Sequence, residues 1–104
     1  MAYHAIMKAK RLIREKIAYS PAELVEMVVW QVPTPVPPSL HDFKYRLVYV
    51  VNGERILGYD NERGKGDHKH LFGVESPIAF VSVDDLIERF VSEVEMLRIE
   101  RNMP

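Results

Sequence analysis

Residues 59–70, Tyr-Asp-Asn-Glu-Arg-Gly-Lys-Gly-Asp-His-Lys-His, hold three carboxylates, three cations and two of the chain's four histidines. Proton and phosphoryl transfer draw on these residue types. Imidazoles exchange protons near neutral pH, cations stabilise phosphate charge, and carboxylates orient rings. In extended backbone His68 and His70 project to the same side, as an acid and a base. Gly64 and Gly66 flank Lys65, a pattern that suits an anion nest and also occurs in plain surface turns. Lys44, Arg46 and an upstream imidazole, His41, lie where a hairpin would bring them to this segment. The set suits metal-independent RNA cleavage. His68, His70, Asp67, Lys65 and Arg46 are then catalytic, and Lys44, Tyr59, Arg63, Lys69 and His41 bind substrate. No cofactor is needed in that chemistry. The alternative is a divalent metal ion held by Asp60, Glu62, Asp67, His68 and His70, which supply nitrogen and oxygen ligands. The same composition also describes a solvated connecting loop, with Lys44 and Arg46 as the polar side of a hairpin. Residue types alone leave these readings open.

The elements that must position these residues are partly legible. Residues 10–17 read as a strand with Arg11, Ile13, Glu15 and Ile17 on one side, ending at the Ser20-Pro21 turn. Residues 24–32, β-branched and containing Trp30, read as its hairpin partner. Four prolines in residues 33–38 exclude a central strand and predict a stiff connection, which also matches a PxxP ligand pattern. Residues 43–51 and 54–59 flank Asn52-Gly53, the favoured two-residue hairpin turn. An unbroken ladder from that turn sets Arg46 opposite Tyr59 and Tyr45 opposite Asp60. Lys44, Arg46, Tyr59 and Asn61 then share one face. Residues 61–75 read as a loop and 78–81 as a short strand. Ser82, with Asp85 three residues on, caps a helix over 83–98 whose apolar positions recur at helical spacing. The expected fold class is α+β: an antiparallel sheet of four to five strands, built from two hairpins, with a C-terminal amphipathic helix packed on one face. Residues 1–104 read as a single domain.

Bulk properties narrow the function classes. A net charge of −1 gives no bulk signal for nucleic acid, although a local basic patch is compatible with it. The absence of cysteine excludes disulfides, thiolate zinc sites and thiol nucleophiles. No apolar run approaches a membrane span, and residues 1–10 are too polar for a signal peptide, so a cytoplasmic protein is expected. His4 reads as incidental. Tyr19, Trp30, Tyr45 and Tyr49 read as packing residues, because a base-stacking platform requires aromatics exposed in a row.

Three strings carry a family resemblance: residues 26–33 (EMVVWQVP), 41–47 (HDFKYRL) and 59–70 (YDNERGKGDHKH). Together they resemble the TumE-like toxins of prokaryotic toxin–antitoxin modules, over roughly residues 8–97. The resemblance implies a growth-inhibiting toxin held inactive by an antitoxin with a helix-turn-helix DNA-binding domain. It implies no catalytic assignment. Ribonuclease action is the expectation from side-chain chemistry, supported by analogy with other small toxins. Its competitors are a non-catalytic RNA- or partner-binding inhibitor and a regulatory module whose charged segment docks the antitoxin. An open sheet edge also offers a route to a homodimer.

Overall fold

The computed structural model describes residues 8–102, and His4 lies outside them. Strands β1 (Lys10–Ser20), β2 (Glu23–Gln31), β3 (Phe43–Val51), β4 (Glu54–Glu62), β5 (Gly66–Leu71) and β6 (Val74–Pro77) are neighbours in chain order in one antiparallel sheet. Helix α1 (Val83–Arg101) follows. The α+β class and the C-terminal helix agree with the sequence reading, but the described residues form six strands rather than four to five. The expected loop over 61–75 is two further hairpins, and 78–81 is not a strand. β5 escaped detection because it is polar on both faces, so its alternation carries no hydrophobic signal. The last turn was hidden by Phe72, a bulky residue at φ 48° preceding Gly73 at 81°. Asn52-Gly53 adopts the same left-handed pair at 52° and 77°.

The apolar stripe of α1 sets one sheet face inward. Leu86, Phe90, Val94 and Leu97 pack on Val25, Met27, Val29, Tyr45, Leu47, Tyr49, Leu57 and Tyr59. Ser82 Oγ caps the helix by accepting from the Asp85 amide at 3.0 Å. Among the described residues, the opposite sheet face carries no helix.

Two bulges decide which side chains reach that open face. In β4, Arg55 pairs with Val50 and Leu57 with Tyr49, which leaves Ile56 as an extra residue. Arg46 therefore pairs with Asp60, not Tyr59 as an unbroken ladder requires. The slip keeps Leu57 and Tyr59 in the core and moves Asp60 out of it. In β1 the extra residue is Leu12. Arg11 pairs with Trp30 and Ile13 with Val29, so Arg11 and Ile13 face opposite sides rather than one.

The far end of α1 is tied to the first hairpin through Glu23. Its Oε2 accepts from Tyr49 Oη at 2.6 Å and Arg98 Nε at 2.7 Å. The Tyr49 hydrogen bond, and then Arg98, hold the Glu23 carboxyl below its ordinary range despite the opposing effect of burial.

Two outcomes follow from this packing. Phe90, fully buried with its ring edge-on to Tyr59, is expected to cost about 3–5 kcal/mol when replaced by alanine. Urea unfolding at pH 7 measures this, and a loss below about 1 kcal/mol would contradict the packing. Glu23 has a folded-state pKa below its unfolded value. Its stabilisation is therefore complete above the unfolded pKa and disappears as pH falls through the folded one. Glu23→Gln should lower the urea midpoint at pH 7, and the gap from the unmodified protein should narrow below about pH 4. A gap that does not change with pH would remove the carboxylate from this role.

Candidate functional site

Directly paired residues on neighbouring strands share a face, so the registers map the open side. One row runs Arg14, Val28, Arg46, Asp60, His68 across five strands, and a second begins Arg11, Trp30, Lys44. Lys44, Arg46, Arg55, Asp60, Glu62, Lys65 and His70 line a cleft of 410 Å³ on this face. Among the described residues, Lys44, Arg46 and Arg55 take part in no ion pair. Lys65 sits 3.4 Å from Glu75 and 3.6 Å from Glu62. Trp30 is half-buried, with the Arg11 guanidinium 6.0 Å from its ring.

At the floor of the cleft lies a three-residue cluster. His68 is only 3% exposed, and its Nδ1–H donates to the Gly66 carbonyl at 2.8 Å. Its Nε2 lies 2.7 Å from Asp60 Oδ1 and 3.1 Å from His70 Nε2. The Asp60 contact is short but misaligned, so the buried Oδ1 has no hydrogen-bond donor. Burial, and then the charge of Arg55, hold His70 below the ordinary imidazole range. The two histidines share a side, as strand alternation requires. Their Nε2 atoms touch, so no phosphate fits between them.

The other sequence-derived candidates lie elsewhere. Asp67 faces the helix side. There its Oδ1 accepts from Tyr45 Oη at 2.6 Å and pairs with His41 Nε2 at 2.7 Å, and Oδ2 accepts from Ser39 Oγ at 3.1 Å. Asp67 orients no cleft histidine; Asp60 is the carboxylate beside His68. His41 stacks on Phe80 with centroids 3.7 Å apart. Tyr59 Oη donates to Glu93, which also pairs with Lys69 at 2.9 Å. Burial raises both Tyr45 and Tyr59 far above the ordinary phenol range, and Asp67 and Glu93 raise them further. Arg63 is exposed at the β4–β5 turn. The Gly64 amide donates to Pro37 O at 2.8 Å and the Lys65 amide to Glu62 O at 2.9 Å, so neither is available to a phosphate nest. Gly66, at φ 76°, lets Pro38 approach to 3.2 Å from where a Cβ would sit.

Sequence reasoning missed Arg11 and Arg55 and read Trp30 as packing alone. The Asn-Gly turn sets Arg55 opposite Val50, but no local signal announces the bulge that brings Gly58 and Asp60 to the same face. A groove of 610 Å³ between α1 and β5, lined by residues including Leu71, Phe72 and Met96, lies on the helix side, away from the histidines.

The fold and the cleft define a small α+β protein with one helix-covered sheet face and one open, charged, histidine-containing face. The family model described as Toxin TumE matches residues 3–98, and the chain belongs to this toxin family. Comparisons with curated proteins and with solved structures find no match. Among the described residues, no helix is long and apolar enough to cross a membrane.

Asn61, fully buried beneath the cleft, accepts from the Tyr45 amide at 2.9 Å and donates to Phe43 O at 2.7 Å. Asn61→Leu should cost about 1–3 kcal/mol for each backbone group left unpaired, read by urea unfolding. An unchanged midpoint would mean that these groups find other partners.

Proposed function

We propose that this toxin acts on RNA held across the open sheet face and cleaves it at the Asp60–His68–His70 cluster. The observation that carries this reading is the row of unpaired cations Lys44, Arg46 and Arg55 beside that cluster. An uncompensated cationic row next to buried imidazoles suits a phosphodiester backbone. Trp30, adjoining Lys44 in the register, supplies a ring on which a base stacks.

Cleavage is an internal transesterification. The 2′-oxygen forms a bond to phosphorus and releases its proton, the bond from phosphorus to the 5′-oxygen breaks, and that oxygen takes up a proton. Proton transfer belongs to the cluster, whose more accessible imidazole is His70. Arg46 and Arg55 stabilise the charge that builds on the phosphoryl oxygens. Lys44 positions the backbone, and Lys65 is held by its glutamates until a polyanion competes for it. Membership of a toxin family supports the rest of the reading, which is growth arrest in the cytoplasm relieved by an antitoxin carrying a helix-turn-helix domain.

Arg46→Ala and Lys44→Ala should each weaken RNA binding and lower the salt slope of log K by about 1. Trp30→Ala should cost about 1–3 kcal/mol with single-stranded RNA. Fluorescence anisotropy against salt concentration, beside a gel assay of cleavage, reads all three. Undiminished binding in every variant would place RNA elsewhere. Binding without cleavage by homogeneous protein would leave an inhibitor that works by occupancy.

A further inference from the structure

We propose that Asp60 Oδ1, His68 Nε2 and His70 Nε2 bind one divalent transition-metal ion, with zinc as the best match to the ligand set. This rests on the proposed RNA-cleaving reading and deepens it, because the ion would be the cleft's reactive centre.

Geometry is the first ground. The three ligand atoms lie within 4.8 Å of one another, with adjacent separations of 2.7 and 3.1 Å. Bonds of about 2.0–2.1 Å at tetrahedral angles place ligand atoms about 3.3 Å apart. A shift of a few tenths of an ångström would bring the two adjacent pairs to that spacing.

Hydrogen bonding is the second. His68 Nδ1–H is fixed on the Gly66 carbonyl, which leaves the Nε2 lone pair directed into the cluster in the neutral ring. Ring orientation by a carbonyl on the far nitrogen is the usual support for a metal-bound imidazole. Asp60 Oδ1 is buried without a hydrogen-bond donor, a costly arrangement unless a cation meets it. Two imidazoles and one carboxylate favour zinc, manganese, iron or nickel over magnesium and calcium, which prefer oxygen.

Three protein ligands would leave coordination positions open, and Arg46 lines the same cleft. An ion there would polarise a phosphoryl oxygen or acidify a water, and that water, rather than the ligated His70, would carry the proton transfer. Asp67, on the other sheet face, takes no part.

The test uses the tag-free full chain, stripped with EDTA and dialysed, then titrated with zinc chloride by calorimetry. One zinc per chain is expected, with no response to magnesium at the same concentration. Asp60→Asn and His70→Gln, each shown to be folded by circular dichroism, should weaken zinc binding at least tenfold. No stoichiometric binding by the folded wild-type chain would overturn the site, as would equal binding by both variants. RNA cleavage that persists in EDTA would also overturn the ion's role and leave the RNA reading standing. One zinc per chain with no RNA binding would overturn the RNA reading and keep the metal site.

Discussion

The open face depends on a single extra residue in β4. With Ile56 left out of the ladder, every residue after it in β4 exchanges faces relative to an unbroken hairpin. Leu57, Tyr59 and Asn61 pass beneath the helix, while Gly58, Asp60 and Glu62 face out. The driving force is burial. An unbroken register would put Asp60 beside Tyr45 in the core and turn Leu57 and Tyr59 toward water, which loses apolar burial and strands a carboxylate. Gly58 completes the arrangement. A Cβ there would meet the Arg55 side chain at 3.0 Å, so glycine leaves Arg55 room to lie over the strand.

The two faces treat their polar groups in opposite ways. On the helix side, Asn61 and Asp67 have hydrogen-bond partners on Ser39, His41, Phe43 and Tyr45, and Phe80 covers the His41 ring. A buried polar network satisfied to this degree holds the open end of β3 and β4 together. On the open side, Lys44, Arg46 and Arg55 have no ion-pair partner among the described residues, and Asp60 Oδ1 lacks a donor. Asp60 and Asp67, alike in type and seven residues apart, therefore have different roles. Asp67 ties the proline-rich segment to the sheet, whereas Asp60 remains available to a ligand.

Charge follows the same division. The whole chain has a net charge of −1, yet α1 carries six acidic and three basic residues. Arg11, Arg14, Lys44, Arg46 and Arg55 map to the open face through the registers. Near-neutral bulk charge is thus the sum of an acidic helix and a basic sheet face, and a polyanion approaching the sheet meets mainly the second.

The sequence by itself determined the elements whose signals are local. The Asn52-Gly53 turn, the Ser82 cap, the helical stripe from Leu86 to Leu97 and the proline break after β2 each follow from neighbouring residues. The same holds for the shared side of His68 and His70, because strand alternation is a property of the backbone. The three family strings were legible for the same reason: they are continuous. Tertiary structure decided everything that depends on register. It placed Asp60 rather than Asp67 beside His68, sent Tyr59, Lys69 and His41 to the helix side, and brought Arg11 and Trp30 to the open face. A bulge is chosen by competition between alternative pairings across strands and against the helix. That competition is settled by total burial, to which no short segment of sequence has access.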